Sequence, residues 1–207
     1  AISHDAKQGA LLFLKDRASG GADCASCHSG DFFTDEEHYV LAMPQVGRGQ
    51  SVNIGATQDV GRFLVDGQPE HLYAFRTPTL LNVAVTGPWS HAGAYTSLEG
   101  VVRHHLDPTH ALQNYDFGQL APDVQTQDTI ANSTLALQQL YWVRNNGFKT
   151  VDDIALSNLQ VQQLVAFLHC LTDPCVTDRQ CLDDWIPSSP DPDGRRLVGH
   201  DQFGNPF

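Results

Sequence analysis

Apolar positions in this chain recur at helical spacing in several stretches. Over residues 3–16, Ala10, Leu11, Phe13 and Leu14 follow Ser3, which is placed as an N-cap. Residues 18–34 and 44–56 are Gly-rich and polar without periodicity, and read as loops. Residues 58–65 fit a short helix, and 75–82, with Pro78, an extended segment. Thr96-x-x-Glu99 has the form of a capping box. Behind it Leu98, Val101, Val102 and His105 fall at i, i+3, i+4 and i+7, and Asp107-Pro108 ends the pattern. That stripe sets His105 on the apolar face, with His104 about 100° round the helix. A long helix is predicted over 129–144, stopping at Asn145-Asn146-Gly147. Ser157-x-x-Gln160 is a second capping box, before a stripe of Val161, Leu164, Val165, Leu168 and Leu171 that ends at Asp173-Pro174. Residues 182–207, rich in Pro, Asp and Gly, read as an irregular tail. No repeat and no sheet pattern emerges, so the fold class is mainly α.

Composition narrows the picture. At 207 residues the chain is long enough for one domain, or one domain and an appendage. Twelve Lys and Arg against 24 Asp and Glu give a net charge of −12, which repels nucleic acid and anionic membranes. Only 17% of residues are charged and 41% are hydrophobic, which argues against disorder. No stretch approaches the roughly 20 apolar residues of a membrane span. The start lacks a signal-peptide pattern, and Ala1-Ile2-Ser3-His4 reads as a mature or trimmed end.

The informative counts are five Cys and ten His. Cys24-Ala25-Ser26-Cys27-His28 is the attachment signature of c-type haem. In that chemistry the thiols of Cys24 and Cys27 add to the two porphyrin vinyl groups, and His28 takes one axial position on the iron. A zinc half-site would need two further ligands at matching spacing, and a redox Cys-x-x-Cys would need a βαβ context; neither is evident. One motif implies one covalent haem c. Covalent haem in turn implies export to an oxidising periplasm, where Cys175 and Cys181 are placed to form a disulfide. Cys170, on a helical pattern, reads as a buried small hydrophobe. For the second axial position the contenders are Met43, Tyr115 and the histidines. His105 is best placed among them, as a ligand or as a core histidine bonded to backbone. His104 reads as solvated or facing a haem propionate. His4, His38, His71, His110, His169 and His200 read as surface or capping residues.

Longer motifs carry a resemblance. These are Phe75-Arg76-Thr77-Pro78-Thr79-Leu80-Leu81-Asn82-Val83-Ala84, Thr86-Gly87-Pro88-Trp89-Ser90-His91-Ala92-Gly93, Ser97-Leu98-Glu99-Gly100-Val101-Val102-Arg103-His104-His105, and Leu164-Val165-Ala166-Phe167-Leu168 leading to Leu171-Thr172-Asp173-Pro174. Over residues 1–175 the chain resembles the C-terminal, electron-transferring haem domain of the bacterial dihaem cytochrome c peroxidase/MauG family. The resemblance implies a cytochrome c-like helical domain over 1–175, with an irregular extension over 176–207. It also implies that His105 stands where family members place the distal ligand of this haem, Met in classical peroxidases and Tyr in MauG. His there makes the iron bis-His. It further implies a structural Ca2+, held partly by the backbone oxygens of Thr86 and Pro88 and completed by the other domain. Arg76 becomes a partner for a haem propionate, or else a solvated side chain. Leu81 departs from the family's usual Arg, and His91 matches a family His of unassigned role. The peroxide-reacting haem domain has no counterpart in this sequence, so no catalytic residue is assigned.

The function implied is a periplasmic electron-transfer module. It would relay electrons to or from a peroxide-reacting haem in a second domain or subunit, with a small redox protein as donor. Two alternatives stand beside it. One is a stand-alone enzyme with an open iron that reacts with peroxide, in which Tyr73, Tyr95, Tyr115, Tyr141 or Trp89 carries radical equivalents. The other is a plain monohaem electron carrier.

Overall fold

A computed structural model describes residues 2–49 and 57–185. Its long elements are helices. Helix α1 spans His4–Leu14, and Ser3 caps it by accepting the Ala6 N–H at 3.1 Å. Helix α2 is confined to Phe63–Asp66. Helices α3 (Leu98–Leu106) and α4 (Pro108–Gln113) meet at Asp107, whose side chain caps α4 through the His110 N–H. Helix α5 runs over Thr129–Asn145 and α6 over Asn158–His169. The capping box expected at Ser157 and Gln160 is present in both directions.

Helices α1 and α6 form the frame, and their backbones meet at Gly9. A Cβ at that position would lie 1.8 Å from the Gln163 carbonyl oxygen, so only glycine fits there. Phe13, one turn on, packs against Phe167 with ring centres 5.1 Å apart. Together with Leu98, Val101, Leu106, Val161, Leu164 and Leu168 it forms the main core. A second core gathers Val40, Ala42, Val60, Tyr73, Ala136, Leu140 and Val143.

Several expectations are corrected. The chain does contain a small sheet: β1 (His38–Val40) pairs antiparallel with β2 (Ala74–Arg76), in the register Tyr39 opposite Phe75. Three residues per strand are too few to show a period of two. The helix expected over 58–65 begins only at Phe63, because Asp59 donates its backbone N–H to Gln45 Oε1 and Gly61, at φ +60°, runs against the Ala74 carbonyl. The cap of α3 is Ser97, not Thr96. Ser97 accepts the Gly100 N–H at 3.1 Å, while Thr96 N–H goes to Gln119 and Glu99 pairs with Arg103.

The extension past residue 175 is not irregular where it is described. It forms a 3-10 turn at Pro174–Thr177, α7 at Arg179–Leu182 and a further turn at Asp183–Trp185. The Cys175–Cys181 disulfide closes this segment with Cα atoms 5.3 Å apart. Residues 186–207 of the predicted tail, and 50–56 of the predicted loop, lie outside the described residues. Cys170 is exposed rather than buried, because it falls at the C-cap of α6, beyond the last apolar turn. No helix among the described residues is long and apolar enough to cross a membrane.

Candidate haem-binding site

The loop after α1 is shaped by backbone constraints. Asp23 adopts a left-handed conformation at φ 57°, and a 3-10 turn over Cys24–Ser26 follows. The His28 N–H closes on the Cys24 carbonyl at 2.9 Å, and the Asp35 N–H on the Cys27 carbonyl at 2.9 Å. These bonds set Cys24, Cys27 and His28 on one wall of a cavity of about 420 Å3. Phe13 from α1, Leu41 and Met43 after β1, Trp89, Leu98, Val101 and Val102 from α3, and Leu164 and Leu168 from α6 make the rest of the wall predominantly apolar. A slot of this size and character suits a flat, largely hydrophobic ligand.

His105 reaches the same cavity from the last turn of α3. Its Nδ1 lies 2.8 Å from the Val101 carbonyl, and His28 Nδ1 lies 3.1 Å from the Phe33 carbonyl. A carbonyl only accepts, so each Nδ1 carries the proton and each Nε2 keeps its lone pair. That is the tautomer a metal-binding imidazole needs. Burial first, and then the neighbouring His105, pushes the His28 imidazolium down to about 4; burial likewise lowers His105. Both rings are therefore neutral near pH 7 and fit as nitrogen donors to iron. Burial also pushes the Cys24 thiol up to about 12 and raises that of Cys27.

His104 departs from expectation. It is neither solvated nor turned to the cavity but wholly buried at 0% exposure. Its Nε2 meets the Leu41 carbonyl and its Nδ1 the Tyr95 hydroxyl, each at 2.8 Å. With both nitrogens engaged, it has none left for a metal.

The cavity also gathers the other residues predicted from sequence. Arg76, Thr86 and Pro88 lie on its wall, as do Met43, Trp89 and His91. The Arg76 guanidinium is paired with Glu36 at 2.8 Å and is exposed. His91 stacks on Phe75 with ring centres 3.7 Å apart and holds Asp59 at 2.8 Å. Leu81 and the tyrosines 73, 95, 115 and 141 are outside the wall. Tyr115 instead bonds the Ala94 carbonyl. Two contributors escaped the sequence reading. Arg17 lines the cavity and donates to the Asp152 carbonyl. Lys149 donates to the Ser26 carbonyl at 2.6 Å, within the attachment loop itself. Each partner lies more than a hundred residues away, so local pattern carries no signal of either.

No protein-family model matches the sequence. Among curated proteins, the chain is 35% identical over 108 residues to the methylamine utilization protein MauG of Methylorubrum extorquens, covering 51% of this chain and 26% of that protein. It is 30% identical over 122 residues to the cytochrome-c peroxidase IdrP1 of Pseudomonas sp. (strain SCT), covering 49% of this chain and 31% of that protein. The sequence is thus similar, over about half its length, to MauG and to cytochrome c peroxidases. Among solved structures, a MauG-like protein associated with microbial copper homeostasis superposes with a TM-score of 0.61 at 19% identity, over 89% of this chain and 51% of that one, which shows the fold. These relatives are peroxidase-like haem proteins, and the likeness implies binding of haem c. The matches to MauG and IdrP1 span between a quarter and a third of those proteins' lengths.

Proposed function

We propose that this chain is a c-type haem electron-transfer module of a MauG-like or dihaem peroxidase-like oxidoreductase. In this reading Cys24 and Cys27 would hold one haem through thioether bonds, and His28 and His105 would supply imidazole nitrogens to its iron. The observation that carries it is the pair of imidazoles on one cavity, each with Nδ1 tied to a backbone carbonyl. The haem supplies one-electron redox chemistry when bound. The residues of the chain bind and orient it and keep water out. Val101 and Phe33 fix the two ring orientations through their carbonyls. Phe13, Leu98, Leu164 and Leu168 dry the wall, and Lys149 fastens the attachment loop. Arg76, on the cavity wall and paired with Glu36, would offer its guanidinium to a propionate.

With His28 and His105 both supplied from within the chain as iron ligands, the module would relay electrons rather than bind peroxide. It therefore works with a peroxide-reacting haem in a second domain or subunit and with a small redox protein as donor. Covalent haem attachment places it in the periplasm after export. Thr86 and Pro88, both at the cavity wall, offer carbonyl oxygens to a Ca2+ completed by that second domain.

The test is the electronic and EPR spectrum of the ferric, haem-loaded protein. A low-spin spectrum unmoved by peroxide is expected, with His105→Ala turning it high-spin. A His105→Ala spectrum identical to wild type refutes the ligand assignment. A high-spin wild-type spectrum that shifts with peroxide overturns the relay in favour of a chain that reacts with peroxide itself.

A further inference from the structure

The dry side of α3 holds a polar network with no role in the site as described. His104 is completely buried, between the Leu41 carbonyl and the Tyr95 hydroxyl. The Leu41 bond requires a proton on Nε2, so Nδ1 accepts and Tyr95 donates. Leu41 is itself part of the cavity wall. Tyr95 is held in place by backbone bonds in both directions with Trp89, another wall residue, at 2.8 and 3.1 Å. The network therefore spans from one wall segment, through α3, to another.

Its position beside His105 gives it a consequence. Helix α3 has only nine residues, and His105 sits in its last turn, where helices are least constrained. The structure shows one hydrogen bond on the His105 ring, to Val101 within the same helix, so that bond cannot fix the helix against its surroundings. The His104 bonds do. A rotation or slip of α3 that swings His105 away moves the adjacent His104 with it. Two buried hydrogen bonds then break where no water replaces them. An apolar residue would fill the space without that desolvation cost, so the histidine serves geometry rather than packing.

We propose that His104, with Tyr95 as its donor, is a positioning residue that locks the rotation of α3 and keeps His105 Nε2 aimed into the cavity. The inference rests on the bis-His reading above. Ligand sites of this kind need their groups held within about 0.5 Å, which supporting bonds provide.

The test uses the haem-loaded protein and cyanide, which binds ferric haem only after His105 has left. Tyr95→Phe should speed cyanide binding about tenfold, the rate equivalent of one lost buried hydrogen bond, and His104→Leu, which loses both bonds, by more than that. Each should also shift the low-spin g values. His104→Gln, whose amide can donate to Leu41 and accept from Tyr95, should restore most of the slow rate. If His104→Leu does not fold, Tyr95→Phe still decides, since it removes one oxygen and little volume. Variants that melt at lower temperature yet keep wild-type g values and cyanide rate overturn the inference and leave the bis-His reading standing. A wild-type protein that takes up cyanide without a slow phase overturns the bis-His reading, and the inference falls with it.

Discussion

Replacing Gly9 by alanine tests the frame that carries the cavity. In a helix interior alanine is ordinarily favoured over glycine by about 1 kcal/mol. A loose α1–α6 contact would therefore make Gly9→Ala stabilising. The structure predicts the opposite sign. The added Cβ would meet the Gln163 carbonyl oxygen at 1.8 Å, its carbon at 2.5 Å and Phe167 Cβ at 2.9 Å. The first of these falls about 1.5 Å short of ordinary contact, and it involves backbone, which cannot rotate aside. The helices must separate, at the upper end of the roughly 1–3 kcal/mol that overpacking costs. After the propensity gain, a net loss of about 2 kcal/mol remains. For a chain of this size that lowers the melting temperature by about 4–8 °C. Separation also draws Phe13 away from Phe167 and from the cavity wall, so the haem absorption bands should broaden or shift in the same variant. The assay is thermal unfolding of the haem-loaded protein followed by circular dichroism, with the haem spectrum recorded alongside. A Gly9→Ala protein as stable as wild type, or more so, would show that α1 and α6 do not meet as described.

Other outcomes follow from single contacts. Ser97→Ala should cost about 1 kcal/mol and Thr96→Ala less than about 0.5, measured by urea unfolding, because Ser97 alone caps α3. Burial works against the Asp59 carboxylate, but bonds from His91 and the Gly61 N–H outweigh it and hold the group below its usual 3.8. With the folded value depressed, this stabilisation is present above pH 3.8 and disappears as the pH falls through the lower folded value. The melting-temperature gap between wild type and Asp59→Asn should therefore narrow below pH 3.8, and a gap constant down to pH 2 would count against the pairing. In the haem-loaded protein one thiol, Cys170, should titrate with a thiol reagent after unfolding, because Cys175 and Cys181 are bonded and the proposed attachment would convert Cys24 and Cys27 to thioethers. Three reactive thiols would exclude covalent attachment.

What could be read from the sequence depended on how local its cause was. The turn at Cys24–Ser26, α1, the α6 capping box and the disulfide are set by residues within a few positions of one another, and each is legible as local structure. Helix α5 was legible in extent but not in role. Its buried Asn132, Ser133 and Gln139 look like surface residues in a sequence. In the structure Ser133 accepts the Gln45 N–H, and Asn132 and Gln139 donate to the Thr57 and Pro69 carbonyls, anchoring loops that lie against the helix. The adjacent histidines show the same limit. Helical periodicity turned His105 inward correctly, but it assigned His104 to the opposite environment. The Leu41 carbonyl and the Tyr95 hydroxyl come from outside the helix, and a helical repeat is blind to them. Short strands and the start of α2 were lost because tertiary contacts at Gln45 and Ala74 decide them.

The ties across the attachment loop bear on how the pocket comes into being. Lys149 holds Ser26 from 123 residues away, Thr150 holds Val40 from 110, and Arg17 reaches Asp152 across 135. Connections of that span form late, after a large loss of chain freedom. Cys24, Cys27 and His28 lie in the first third of the chain, yet the cavity they line closes only once Thr150, Val151, Leu164 and Leu168 have folded back over it. Three neighbouring side chains written into thirty residues thus meet their finished container only at the end of folding.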